Sequence, residues 1–171
     1  MWLTLTAQKS RIVRYGREVE VELAASLAAH DGSVVSISFP PDSKIFASVS
    51  RDGTVKFWDL TELRQAFAIN LNQPALSLSF SPDRRWLAIG GYGGEVSLCH
   101  LGDRKIVKAL KFGQEIVQAV AFSPDGKFLA IGSGVWNQSE RRFATGKLRV
   151  WHAEAGEFVS SCEDFQAPVN S

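Results

Sequence analysis

The chain has 171 residues, 45% hydrophobic and 22% charged, which is enough to bury a substantial core and too apolar for a disordered segment. Nineteen basic against eighteen acidic side chains leave a net charge of +1, which argues against the basic footprint of a nucleic-acid binder. No apolar run approaches membrane-spanning length, no charged leader precedes a long apolar core, and Cys99 and Cys162 alone make no disulfide framework. The expectation is a cytoplasmic chain with neither a nucleic-acid nor a membrane partner.

The opening segment, MWLTLTAQKSRIVRYG followed by REVEVELAASLAA, makes sense only against what comes next. From His30 to Asp59 the chain runs VVSISF, a PPDS turn, KIFASVS, an Asp52-Gly53 turn, and TVKFWD. The runs alternate with period two, as half-buried strands do. The unit then repeats. Phe39, Phe80 and Phe122 open its Pro-Asp turn at intervals of 41 and 42 residues. Trp58, Cys99 and Trp151 mark its third strand at intervals of 41 and 52, so the last unit carries about ten extra residues. A fourth, less regular strand follows, as in LRQAFAIN and RKIVKALKF.

The first strand of each unit has a bulky and a small face. Val35 and Ile37 stand against Ser36 and Ser38, Leu76 and Leu78 against Ser77 and Ser79, and Val120 against Ala119 and Ala121, with Gln118 as the exception. A strand stacked between neighbouring sheets near a crowded axis needs such a taper. Proline presets φ in the Pro-Asp turns, and their Asp can bond its own backbone. Gly53, Gly94 and Gly146 share one repeat position, where a tight hairpin calls for positive φ.

His30, Phe39-Pro40-Pro41-Asp42, Ser48-Val49-Ser50, Asp52-Gly53 and Trp58-Asp59 together resemble a WD-repeat unit, and the later copies resemble the same family. The resemblance implies an all-β propeller, with blades of four antiparallel strands circling a central channel and most rings seven-bladed. Residues 30–71, 72–113 and 114–168 would then be complete blades, the last with an insertion at 134–145. Laying Trp2–Tyr15 on Trp86–Cys99 makes residues 1–29 the last three strands of an earlier blade, and residues 169–171 align with the start of another. The expectation is a fragment of a larger ring whose exposed terminal blades favour self-association. The alternative is a four-bladed closure, with 169–171 pairing to the strand at Trp2–Thr6.

His30, Ser48 or Ser50, and Asp52 could pass for a hydrolase triad, which needs a nucleophile exposed beside an oxyanion hole. The family resemblance implies instead a buried hydrogen-bonded relay of His30, Ser48 or Ser50, Asp52 and Trp58. Units two and three lose members of it: Leu71, Gly93 and Cys99 in one, Gly113 and Thr145 in the other. These eroded units are expected to be less rigid. Cys99-His100 and His152 lack four ligands at zinc spacing, so no metal is expected. Gly90-Gly91-Tyr92-Gly93-Gly94 lacks the Lys-Ser/Thr of a phosphate loop, and no cofactor is expected. Asn137 opens an NQS triplet that reads as an unused glycosylation acceptor.

The insertion carries Trp136, Arg141, Arg142 and Phe143, residue types that dominate binding hot spots. Either it contacts a partner, or its aromatics fold back over their own blade on a lengthened hairpin. With Arg51 and Tyr92 on the same face it makes a candidate docking surface. The expected function is a non-catalytic interaction scaffold for a protein or peptide; the alternative is a regulatory or sensor piece of a larger signalling enzyme.

Overall fold

The computed structural model describes residues 9–14, 17–22, 27, 29–41 and 44–165. Their alternating patterns form fourteen strands and, among the described residues, no helix. A hairpin of β1 (Lys9–Arg14) and β2 (Arg17–Glu22) sets Ile12 opposite Val19. Three four-stranded antiparallel sheets follow, each strand paired to its neighbour in sequence. The first holds β3 (Val34–Ser38), β4 (Ile45–Ser50), β5 (Thr54–Asp59) and β6 (Arg64–Asn70). The second holds β7 (Ala75–Phe80), β8 (Trp86–Gly91), β9 (Glu95–His100) and β10 (Lys105–Lys111). In the third are β11 (Ile116–Phe122), β12 (Phe128–Asn137), β13 (Arg142–His152) and β14 (Glu157–Phe165). The all-β expectation of four-stranded antiparallel blades holds. The expected strand at Trp2–Thr6 and the piece at 169–171, on which a four-bladed closure rests, lie outside the described residues.

Inner strands β3, β7 and β11 stand side by side, so the core lies in the two seams between sheets. The first seam buries Val49, Val55 and Phe57 of one sheet against Leu78, Phe80, Leu87 and Cys99 of the next. The second buries Val96 and Leu98 against Val117, Val120, Leu129 and Trp151. Within the second seam the small face of β7 has a polar job. Ser77 and Ser79 accept hydrogen bonds from the backbone N–H groups of Val120 (3.1 Å) and Phe122 (3.0 Å), donors on the unpaired edge of β11. On the outer side of the first sheet, Ile37 is 57% exposed, whereas its counterparts Leu78 and Val120 are each 5% exposed.

A bulge interrupts every inner strand at the same place, between Val34 and Ser36, Ala75 and Ser77, and Val117 and Ala119. It re-aims the extra residue, which is Val35, Leu76 or Gln118. Gln118, the misfit in the alternating pattern, is therefore one of three equivalent bulge residues. Gly53 and Gly94 have φ of 80° and 64° in their hairpin turns, as expected. Gly146 does not share that geometry: it lies inside β13 opposite Gly134, because the third hairpin runs past the position where the other two turn.

Candidate functional site

In the first sheet, β4 and β5 and the connection before β3 bring the nominated polar residues together. The Trp58 indole N–H donates to Ser48 Oγ at 2.8 Å, and His30 Nε2 lies 2.7 Å from the same oxygen. The Asp52 carboxylate can only accept, so the tautomer that fits carries its hydrogen on His30 Nδ1, and Nε2 accepts the Ser48 hydroxyl. The His30 Nδ1–H then faces Thr54 Oγ1 at 2.8 Å and Asp52 Oδ2 at 3.1 Å. Asp52 also accepts from the Asp31 amide (2.9 Å), the Thr54 amide (2.9 Å) and the Thr54 hydroxyl (2.6 Å). Burial raises the Asp52 carboxyl, but bonds from Thr54, Asp31 and Gly32 outweigh it and hold the group far below the usual carboxylate range. Ser50 stands apart from His30 and Trp58 and accepts the Asp52 amide at 3.1 Å. Ser48, His30 and Asp52 thus have the connectivity of a triad without its access. Ser48 is 2% exposed in mid-strand, and an indole occupies its oxygen.

The two eroded sheets tie the same connection to the same hairpin by other means. In the second, the Gln73 carboxamide lies against Gly93, where a Cβ would stand 1.5 Å from it. In the third, Glu115 is 7% exposed and takes both terminal nitrogens of Arg149, at 2.7 and 3.0 Å, plus the Ser133 hydroxyl at 2.7 Å. Lys147 adds a contact at 3.5 Å, and Phe112 lies 5.0 Å from the Arg149 guanidinium carbon. Burial pushes the Glu115 carboxyl up, while Arg149, Ser133 and the charge of Lys147 bring it below its ordinary value. Sequence reasoning missed this cluster because it looked for the first unit's residue types.

His100 and His152, which stand in place of Asp59, have an equally local reason. Each faces an aromatic across its hairpin, Trp86 at 5.0 Å and Phe128 at 5.1 Å, where the first sheet pairs Ile45 with Asp59. Asp103 bonds His100 Nδ1 at 2.7 Å, and the Ala155 amide donates to His152 Nδ1 at 3.1 Å. Cys99 is fully buried, and burial pushes its thiol up to about 11. The expected result is that an alkylating reagent modifies Cys99 in the folded chain no faster than global opening allows, read by mass spectrometry of the labelled peptide. Phe57, stacked on Phe67 at 4.0 Å, shares its cluster. Restoring the repeat residue with Cys99→Trp is therefore expected to overpack the seam and lower stability by about 1–3 kcal/mol in urea unfolding.

The insertion is a lengthened hairpin. Trp136 pairs with Phe143 and Asn137 with Arg142. The Trp136 and Phe143 rings meet edge-to-face at 5.0 Å, while Trp136 stays 41% exposed. Asn137 caps the turn, its side-chain oxygen accepting from the Ser139 amide at 3.0 Å and the Glu140 amide at 3.2 Å. Arg141 takes the left-handed position at φ 52°, and Arg142 bonds Glu140 at 2.7 Å. Arg51, Tyr92 and Phe143 line one concavity of about 350 Å³, floored by Ile116 and the bulge residues Val35, Leu76 and Gln118. Trp136, Arg141 and Arg142 are not part of its wall. The Gln118 side-chain nitrogen is buried there without a hydrogen-bond partner among the described residues.

The model of the WD domain, G-beta repeat, matches residues 21–59, and that of the anaphase-promoting complex subunit 4 WD40 domain matches residues 78–170, more than half of the chain. The chain belongs to the WD40-repeat family. This WD40 chain is 34% identical over 90 residues to small ribosomal subunit protein RACK1z of Arabidopsis thaliana, covering 53% of this chain and 27% of that protein. It is 28% identical over 150 residues to cross-pathway control WD-repeat protein 2 of Flammulina velutipes, covering 82% and 44%. It therefore spans less than half the length of these relatives. The structure of U3-55K superposes with a TM-score of 0.72 at 18% identity, covering 84% of this chain and 43% of that one, a likeness of fold alone. The three sheets are WD40 blades, and the described residues make a partial propeller.

Proposed function

We propose that the chain is a non-catalytic interaction scaffold that docks an extended protein segment in the axial concavity. The observation that carries this reading is the meeting of Arg51, Tyr92 and Phe143 above the bulge residues. Rigid strands anchor these turns, as recognition platforms require. The unpartnered Gln118 nitrogen is a buried donor suited to a peptide carbonyl. Arg51 and Tyr92 supply the residue types that anchor hot spots. The similarity to a small ribosomal subunit protein supports the same reading, since such a protein is part of an assembly, and a cytoplasmic setting belongs to the same proposal. The buried His30–Ser48–Asp52–Trp58 chain serves architecture in this reading.

The test is affinity capture with the chain as bait, followed by titration of a captured partner. An Arg51→Ala, Tyr92→Ala double variant is expected to weaken that partner by about 30-fold. Unchanged affinity overturns the axial site. A Trp136→Ala, Arg141→Ala pair is expected to weaken it by less than about threefold, because neither residue lines the concavity. The exposed face of β3 favours self-association: Ile37→Lys is expected to lower the mass measured by light scattering.

A further inference from the structure

We propose that the seam between the second and third blades is a binding pocket for an aryl carboxylate, a single aromatic ring on a short acid. The site is separate from the axial concavity and does not depend on its role. It arises from a difference between two equivalent seams. In the first, Phe57 pairs across strands with Phe67, and the rings stack at 4.0 Å. Phe57 then meets Phe80 of the next blade edge-on at 6.3 Å. In the second seam the same positions hold Leu98 and Lys108. The facing blade answers with Trp151 in place of Cys99, but with Ala153 in place of Leu101.

The exchange of volume does not close. A cavity of about 270 Å³ remains, walled by Trp86, Leu98, Val107, Phe122 and Trp151, with Lys108 at its edge. Val107 is 52% exposed, so the cavity has a mouth. An apolar cavity of about 150 Å³ suffices for benzene, so this one admits a ring and a short chain. Its walls are indole, phenyl and aliphatic faces, against which a flat ring packs well. The Lys108 ammonium lies 4.9 Å from the Trp151 ring centre and makes no ion pair among the described residues. An apolar pocket with a cation at its rim fits an apolar anion.

The probe is 3-phenylpropionate, with its neutral amide as control, titrated into the full chain while the indole N–H signals are followed by NMR. Saturable shifts at Trp86 and Trp151, with Trp58 unmoved, are expected at a dissociation constant of about 1 mM. Leu98→Phe with Lys108→Phe copies the first seam into the second; it is expected to weaken binding at least about tenfold while leaving the melting temperature no lower. Lys108→Met, at an exposed edge position, is expected to fold normally, keep the amide's affinity and erase the preference for the carboxylate. Absence of saturable shifts in the unsubstituted chain, equal binding by the filled variant, or an unchanged acid-over-amide preference in Lys108→Met each overturns the proposal.

Discussion

Glu115→Ala is expected to cost about 3–5 kcal/mol, the largest effect of any single change considered, measured as the urea midpoint multiplied by the slope. The carboxylate is the acceptor for Arg149 and Ser133 at once, and Ser133 is fully buried. Its removal strands a guanidinium whose side chain is only 13% exposed. By contrast, replacing both partners with apolar residues (Glu115→Met, Arg149→Met) is expected to cost far less than Glu115→Ala alone, since the loss comes from the unpaired charge and not from the missing pair. Lys147→Ala, which takes away the 3.5 Å contact at a side chain 25% exposed, is expected to cost about 1 kcal/mol or less. The pH dependence has a definite sign. The folded carboxyl titrates below its ordinary value, so this stabilisation is complete above the unfolded value of about 4.3 and drains away as pH falls through the lower folded value. Glu115→Gln should flatten that part of the acid-unfolding profile; an unaltered profile would remove Glu115 from the account.

Ser48→Ala is expected to be the second most damaging change, at about 3 kcal/mol. One hydroxyl accepts from Trp58 and donates to His30, so the truncation leaves two buried polar groups without partners. Ser50→Ala serves as the internal comparison: Ser50 accepts one backbone amide, and its loss is expected to cost about 1 kcal/mol. If the two serines cost the same, the bonding order assigned to the relay is wrong. Asp52→Asn should shift acid sensitivity in the same direction as Glu115→Gln, because the Asp52 carboxyl also titrates well below its unfolded value and its contribution is lost only as pH falls.

The blades were legible in the sequence because their signals are local: a Pro-Asp turn at intervals of 41 and 42 residues, a bulky residue at every second position, and a third strand marked by Trp58 and Trp151 in two of the three units. Much of the tethering was not legible, because it depends on position and not on residue type. Glu115 and Arg149 lie 34 residues apart and bridge the same connection and hairpin as His30 and Asp52. Arg149 stands at the repeat position of Lys56, which bonds the Ala29 carbonyl at 2.7 Å, but no first-blade residue type points to Glu115 as its partner. The exchange of Ile45 and Asp59 for Trp86 and His100 could have been found by asking which cross-strand pairs change together at a 14-residue separation. The insertion hid the third instance, since it pushes Phe128 and His152 to 24 residues apart. For the candidate site, residue type picked out Arg51, Tyr92 and Phe143, which converge, along with Trp136, Arg141 and Arg142, which do not. Trp136 spends its ring on Phe143, Arg141 sits in the turn and Arg142 bonds Glu140, so none of the three lines the concavity.

The bulge shared by β3, β7 and β11 separates two kinds of inheritance. Because each extra residue stands outside the pairing that counts the strands, Val35, Leu76 or Gln118 can be exchanged for another side chain while the ladder on either side keeps its place. The lining of the concavity can thus diversify one blade at a time, without any change to the strands that present it.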